Sequence, residues 1–161
     1  MKAQRVRGFT LIEMAVTAAI IALLSTIAFP MAELAYQRSK ERELRSSLWQ
    51  IREAVDAYKR AWDDGHILNR AGESGYPPSL KILADGVEDA KSPAVAKPRL
   101  YFLRRIPRDP FSNDRDIPAE KTWGLRSYES SGSDPKPGKD VYDIYSMTAG
   151  TGLNGVAYRE W

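Results

Sequence analysis

The stretch GFTLIEMAVTAAIIALLSTIAFPMA, residues 8–32, decides the fold of this chain. From Met14 to Ala32 it contains 19 consecutive residues without a charge. A helix that rises about 1.5 Å per residue over such a run approximately spans the ~30 Å hydrocarbon core of a bilayer. We therefore expect residues 9–32 to form a transmembrane helix.

The charges around this stretch predict its orientation. Residues 1–8 carry Lys2, Arg5 and Arg7 and no acid, whereas the rest of the 161-residue chain carries 21 basic and 21 acidic side chains. The positive-inside rule places the basic start in the cytoplasm and the rest of the chain on the opposite side. Because the net charge of +3 is confined to these eight residues, a broad nucleic-acid-binding surface is not expected.

One residue, Glu13, does not suit an ordinary membrane segment. A secretory signal peptide is disfavoured because the apolar run is long and no small-x-small cleavage site follows it. A plain signal anchor leaves Glu13 unexplained, since a charge near the bilayer centre costs about 2.5–3.5 kcal/mol. Glu13 therefore indicates a functional carboxylate that needs a partner.

The helical pattern continues beyond the apolar run. Apolar residues recur at spacings of 3 and 4, which is typical of one buried helix face. The stripe consists of Leu44, Leu48, Ile51, Val55, Tyr58 and Trp62. A continuous helix over 9–62 would be about 80 Å long. Pro30 and the small number of heptads disfavour a coiled coil, so residues 33–62 are expected to pack on a globular head formed by residues 63–161.

The segment Gly8-Phe9-Thr10-Leu11-Ile12-Glu13 resembles the prepilin motif of type IV pilins and type II secretion pseudopilins. The resemblance implies that a prepilin peptidase removes residues 1–8 and that Phe9 is then N-methylated. It also implies that Glu13 pairs with the terminal amine of a neighbouring subunit during assembly. Pro30 occupies a position where family members often carry proline, and it is expected to kink or locally melt the helix.

The head is expected to contain short elements joined by turns. Ser79 suits the N-cap of a short helix that ends near Gly86, and Trp161 is expected to dock on the head. The other predicted elements are a loop over 87–98, a helical turn or strand over 100–107, strands over 123–128 and 141–146, and a hairpin loop over 130–139.

Several head motifs resemble those of the major pseudopilins of type II secretion. They are Gly75-Tyr76-Pro77-Pro78, Leu103–Phe111, Asp143-Ile144-Tyr145-Ser146 and the final Trp161. The resemblance implies an α+β, pilin-like fold in which a long helix packs on a small antiparallel sheet. The chain has no cysteine, so it cannot form the disulfide that closes a loop in many type IV pilins.

The resemblance also raises the question of calcium, which major pseudopilins often bind in the loop after the Asp-Ile-Tyr-Ser strand. Here that loop, residues 147–155, has no carboxylate, whereas Ca²⁺ prefers six to eight oxygen ligands. Oxygens of Asp134, Asp140 or Glu160 are the remaining candidates. We expect no cofactor and no metal, with packing of Leu153, Val156 and Tyr158 in place of the ion.

No enzyme is predicted. The carboxylates lie in polar loops and are expected to be solvated, His66 is expected at the surface, and no phosphate-binding loop is found. The carboxylate clusters are Asp63/Asp64, Glu88/Asp89 and Asp109/Asp114/Asp116.

The resulting hypothesis is a pseudopilin of the bacterial inner membrane, with a cytoplasmic leader and a periplasmic head, that polymerises into a periplasmic fibre. The expected partners are further copies of this chain, minor pseudopilins, the prepilin peptidase, the inner-membrane assembly platform and lipid. Two alternatives stay open: a type IV pilus subunit, and a membrane-anchored periplasmic binding module that does not polymerise.

Overall fold

The computed structural model describes residues 9–69, 72–93 and 98–161, so Gly8 and the predicted leader lie outside the described residues. The chain has the predicted α+β architecture, with one long helix followed by a head of short elements. In chain order they are helix α1 (Leu11–Asp63), helix α2 (Leu80–Asp85), strands β1 (Val87–Glu88), β2 (Arg99–Leu100), β3 (Trp123–Arg126) and β4 (Asp143–Ser146), with 3₁₀ turns at Ala119–Thr122 and Tyr158–Glu160.

Helix α1 contributes to two separate packing units. Contacts divide the chain into residues 1–39 and residues 40–161. In the first unit the described residues form only the start of the helix and the two residues that precede it. The second unit contains the rest of α1 together with the head. The head therefore folds around residues 40–63 of α1, and a division at residue 62 would cut through its core.

The predicted apolar stripe is the centre of this core. Leu44, Leu48, Ile51, Val55 and Tyr58 are buried, whereas Trp62 is only partly buried against them. They pack with buried side chains of the head: Leu80, Leu83, Trp123, Val141, Ile144 and Tyr158. The spacing of the stripe is thus confirmed as the face that organises the head.

The two strongest strand patterns form the predicted hairpin. β3 pairs with β4 in antiparallel register, from Trp123 opposite Ser146 to Arg126 opposite Asp143. Both strands are shorter than predicted because backbone groups at their ends have other partners. The Ser127 N–H donates to the Lys136 carbonyl, and the Val141 N–H donates to the Pro77 carbonyl.

A second, minimal sheet corrects two predictions. The loop predicted over 87–98 begins with β1, which pairs with β2 through Val87 opposite Leu100. The segment predicted as a helical turn or strand over 100–107 is irregular after Leu100. The reason is that the N–H groups of Phe102 and Leu103 both donate to the Leu83 carbonyl at the end of α2.

Helix α2 has the predicted ends, but Ser79 does not cap it as expected. Ser79 occupies the N-cap position without a hydrogen bond from its side chain to the helix. At the other end Gly86 adopts φ of 76° and donates its N–H to the Ile82 carbonyl. This left-handed conformation favours glycine and ends the helix.

Candidate assembly site

The start of α1 is organised by three reciprocal hydrogen bonds between Thr10 and Glu13. Glu13 Oε2 accepts from the Thr10 N–H and from Thr10 Oγ1, each at 2.8 Å. In return the Glu13 N–H donates to Thr10 Oγ1 at 3.3 Å. This is a capping box, in which a Thr at the N-cap and a Glu three residues later satisfy backbone groups at the helix start.

The capping box holds the carboxylate of Glu13 close to the beginning of the helix. Phe9, the residue that would become the new N-terminus, directly precedes Thr10 and is 82% exposed. A negative charge is favourable beside the N-terminal end of a helix dipole. The site therefore presents an exposed carboxylate at the beginning of the helix.

The large apolar side chains around and after Glu13, as far as Met31, are all exposed to their surroundings. The side chain of Ile20 is 53% exposed and that of Ile21 is 64% exposed. By length and composition this part of α1 can cross a membrane. The same group of exposed residues includes Leu11, Ile12, Met14, Val16, Leu23, Leu24, Ile27, Phe29 and Met31. Such a surface needs lipid or protein to cover it.

Pro30 lies inside this segment, and α1 continues through it. The predicted local melting is therefore not found, although proline supplies no N–H for the bond to the residue four positions earlier. A kink at Pro30 stays a prediction.

Most of the acidic groups considered for catalysis are engaged in local structure. Asp63 pairs with Lys59, and Asp114 accepts from the Asp116 N–H at 2.9 Å. His66 Nδ1 lies 2.9 Å from Asp89 Oδ1, and the imidazole is 37% exposed. Among residues 9–69, 72–93 and 98–161, no group of three or more His, Cys, Asp or Glu side chains is arranged to hold a metal ion.

Asp109 corrects the prediction that these carboxylates are solvated. It is only 1% exposed. Its carboxylate accepts from Ser146 Oγ at 2.6 Å and from the Phe111 N–H at 2.8 Å. The Asp109 N–H donates to Thr122 Oγ1 at 3.1 Å. Because these donors replace water around the charge, Asp109 ties β4 to the turn that precedes Phe111.

The candidate calcium oxygens are dispersed rather than gathered at the loop over 147–155. Asp134 lies beside Lys136, and Glu160 is exposed. Asp140 accepts from Ser74 Oγ, from Ser127 Oγ at 2.9 Å and from the Tyr128 N–H at 2.8 Å. Partial burial raises the pKa of Asp140, but these three hydrogen bonds outweigh it and leave the pKa below its usual value.

The packing expected to hold that loop is also different from the prediction. Leu153 and Val156 are 43% and 38% exposed, so they do not pack into the core as predicted. Tyr158 is buried as expected. The group that contacts the loop from inside is Glu41 of α1, which is 5% exposed and accepts from the Leu153 N–H at 2.9 Å.

Trp161 docks on the head as predicted, and Arg52 holds it there. The Arg52 guanidinium donates to the Trp161 carbonyl at 2.8 Å and to Asp143 Oδ1 at 2.8 Å. The indole N–H donates to the Val156 carbonyl at 3.2 Å. The guanidinium of Arg45 lies 4.3 Å from the centre of the indole ring, a cation–π contact.

The roles of Glu41 and Arg52 and the capping box were not predicted from the sequence, although two of these features leave a signal in it. Thr10-Leu-Ile-Glu13 fits the capping-box pattern Thr-x-x-Glu. Glu41 lies three residues before Leu44 and therefore in register with the buried stripe. A carboxylate in that register predicts a buried charge that must find donors.

The start of the chain matches a known family. Residues 3–29 match the family described as the prokaryotic N-terminal methylation motif. This match covers both the predicted cleavage position after Gly8 and Glu13.

Similarity over most of the chain leads to a more particular group of proteins. The chain is 27% identical over 142 residues to type II secretion system core protein G of Klebsiella michiganensis, which covers 87% of this chain and 92% of the relative. It is 28% identical over 149 residues to the Klebsiella pneumoniae protein, covering 91% and 98% of the two chains. It is 26% identical over 136 residues to the Escherichia coli K12 protein, covering 83% and 86%.

No solved structure matches the chain. The sequence comparisons nevertheless agree with the resemblance found in the motifs: the chain begins with the prokaryotic N-terminal methylation motif and is similar over most of its length to type II secretion system core protein G.

Proposed function

We propose that this chain is a structural subunit of a type II secretion pseudopilus. In this proposal a prepilin peptidase cleaves between Gly8 and Phe9, Phe9 is N-methylated, and the subunits polymerise through the first part of α1. Growth of the fibre then drives protein secretion across the outer membrane. The observation that carries the proposal is an exposed apolar helical segment with a carboxylate in its first turn, together with similarity to core protein G.

The apolar surface supports two successive environments for the same residues. Before assembly, lipid covers residues 9–32, with residues 1–8 in the cytoplasm and the head in the periplasm. After assembly, equivalent helices of other subunits cover them. Exchange between the two is feasible because lipid tails and apolar side chains are similar solvents.

Glu13 supplies the specific contact in this exchange. Cleavage after Gly8 creates a cationic amine on Phe9, and a neighbouring Glu13 can neutralise it. A buried ammonium and a buried carboxylate are each costly alone, whereas the pair offsets much of that cost. Self-association is therefore the principal partnership, with minor pseudopilins, the prepilin peptidase and the inner-membrane assembly platform as further partners.

The assembly role of Glu13 is tested with three variants in cells: Glu13→Ala, Thr10→Ala and Glu33→Ala. Glu33 is an exposed carboxylate of the same helix and serves as the matched control. Fibre yield is measured by shearing and immunoblotting, and insertion is measured by membrane fractionation. We expect Glu13→Ala to abolish fibres without loss of insertion, and Glu33→Ala to assemble normally.

Thr10→Ala separates assembly from helix capping. It removes one side of the capping box, for which the expected cost is about 1 kcal/mol, but it leaves the carboxylate available to another subunit. Fibre yield should therefore fall far less than with Glu13→Ala. Normal fibre yield from Glu13→Ala, or an equal loss from Thr10→Ala, would contradict the proposed pairing.

The processing site and the cellular role need separate measurements. Gly8→Val should block cleavage, and N-terminal sequencing of the mature wild-type protein should begin at Phe9. Deletion of the gene should abolish protein secretion and leave pilus motility unchanged. Loss of motility alone would favour a type IV pilus subunit, and loss of neither would favour a binding module that does not polymerise.

A further inference from the structure

Backbone hydrogen bonds shape the loop that connects β4 to the final 3₁₀ turn. The Gly152 N–H donates to the Val156 carbonyl at 2.8 Å, and the Gly155 N–H donates to the Gly152 carbonyl at 2.9 Å. Thr151 and Ala157 form an isolated antiparallel bridge. These bonds define a compact loop over residues 147–157 that contains no carboxylate.

Glu41 of α1 enters this loop from the core. Its Oε1 atom accepts from the Leu153 N–H at 2.9 Å and from the Tyr158 hydroxyl at 3.0 Å. Glu41 and Tyr158 are each about one-twentieth exposed, at 5%. We call this set, Glu41 with the Leu153 N–H and the Tyr158 hydroxyl, the carboxylate clamp.

The clamp also fixes the aromatic side chains around it. The ring of Tyr158 stacks on Phe111 with centroids 4.4 Å apart and contacts Trp161 edge-on at 5.1 Å. The hydrogen bond to Glu41 orients the hydroxyl of the same ring. The clamp therefore joins helix α1, the loop and the last residues of the sequence.

The donor set of this region does not fit calcium. Ca²⁺ requires oxygen ligands that point their lone pairs at the ion, usually with carboxylates among them. Here the Leu153 N–H and the Tyr158 O–H point their partially positive hydrogens at Glu41 instead. The side-chain oxygen of Asn154 accepts from the Val156 N–H at 3.1 Å and is used within the loop. A cation beside Glu41 would face two donors.

We propose that the carboxylate clamp replaces a metal ion, so that Glu41 holds the loop over 147–157 closed without calcium. A charged acceptor forms stronger hydrogen bonds than a neutral one, more so when it is buried. This inference concerns the folding of the head and does not rest on the proposed function in secretion.

The test uses the full chain in detergent micelles, in buffer with either 2 mM CaCl₂ or 2 mM EGTA added. Hydrogen exchange is followed at the Leu153 amide, and thermal unfolding is followed by tryptophan fluorescence. Glu41→Ala removes the acceptor, and Glu43→Ala is the matched control because Glu43 is exposed on the same helix. Tyr158→Phe removes one donor while keeping the ring.

We expect wild type and Glu43→Ala to show the same melting temperature and exchange in both buffers. Glu41→Ala should exchange the Leu153 amide at least tenfold faster, and calcium should not restore protection. If Glu41→Ala does not fold, Tyr158→Phe provides the test instead. We then expect a smaller increase in hydrogen exchange at the Leu153 amide, and no response to calcium.

Two outcomes would overturn the proposal. One is a saturable rise in the wild-type melting temperature with calcium, or one equivalent of bound Ca²⁺ in titration calorimetry, because either would make the region a metal site. The other is exchange in the folded variant, Glu41→Ala or Tyr158→Phe, that matches Glu43→Ala. Fibre yield does not enter this test, so failure of the clamp leaves the proposed assembly role unaffected.

Discussion

The two parts of helix α1, residues 11–39 and residues 40–63, each carry an acidic side chain in an apolar register, with opposite outcomes. Glu13 bonds to Thr10 in its own first turn and remains exposed. Glu41 is buried and bonds to residues more than 100 positions away in the sequence. A glutamate carboxylate therefore caps the helix locally in the first part, and in the second part it links the helix to distant residues.

The apolar residues of the two parts differ in the same way. In residues 11–36 the large apolar side chains are exposed, whereas Leu44, Leu48, Ile51 and Val55 have an exposed fraction of 2% or less. Both patterns are helical, but among the described residues the second packs against side chains of the head and the first stays exposed. The difference indicates that the second part stabilises the head, whereas the apolar side chains of the first part lie outside that core.

The largest expected effect comes from removing an isoleucine from each part. Ile51 is 0% exposed, so Ile51→Ala leaves a cavity and should lower the free energy of unfolding by about 3 kcal/mol. Ile21 is 64% exposed, and Ile21→Ala should change it by less than about 0.5 kcal/mol. Urea unfolding of the full chain in detergent, followed by tryptophan fluorescence, measures both.

This measurement reports on the second unit alone. All 4 tryptophans of the chain, Trp49, Trp62, Trp123 and Trp161, lie within residues 40–161. Equal losses from Ile51→Ala and Ile21→Ala would break the comparison, because they would mean that the first part of the helix also stabilises the head.

A smaller effect is expected from polar side chains. Arg52 donates to Asp143, to the Ile144 carbonyl and to the Trp161 carbonyl. Because Arg52 is 39% exposed, Arg52→Gln should cost only about 1–2 kcal/mol and should speed hydrogen exchange near Trp161.

Ser25 provides the matched change in the first part of the helix. Its hydroxyl donates to the Ile21 carbonyl of the same helix at 2.8 Å. Ser25→Ala should therefore alter the unfolding of the head by less than about 0.5 kcal/mol. The comparison would be weakened if Arg52→Gln behaved like Ser25→Ala in the same urea titration.

The smallest effect is expected on the solvated side of residues 40–63. Arg60 and Glu53 form an ion pair with a separation of 2.8 Å, and their side chains are 61% and 52% exposed. Glu53→Gln should lower stability by about 0.2–0.5 kcal/mol, and the loss should shrink further in 0.5 M NaCl because salt screens exposed charges. A loss above about 1 kcal/mol at high salt would show that this face also has a partner.

Sequence patterns predicted the elements with regular spacing. They did not predict the burial of side chains that depends on a hydrogen bond to a distant residue. The stripe from Leu44 to Tyr58 and the β3–β4 hairpin were predicted because periodicity is a local property. Asp109 was wrongly expected in solvent, since nothing beside it in the sequence shows that Ser146 will supply a donor. Leu153 and Val156 were wrongly expected to pack, because the contribution of Glu41 depends on a distant element.

The sequence by itself determined the long helix, the exposed apolar segment with Glu13, and the face of α1 that the head covers. These follow from length, charge placement and a spacing of 3 and 4, which are properties of contiguous residues. Only the tertiary structure decided that Glu41 and Arg52 hold the end of the chain in place and that Asp109 ties β4 to the turn before Phe111. A charged side chain in the head bonds to the donors and acceptors that folding brings near it. These groups can come from residues that lie far apart in the sequence.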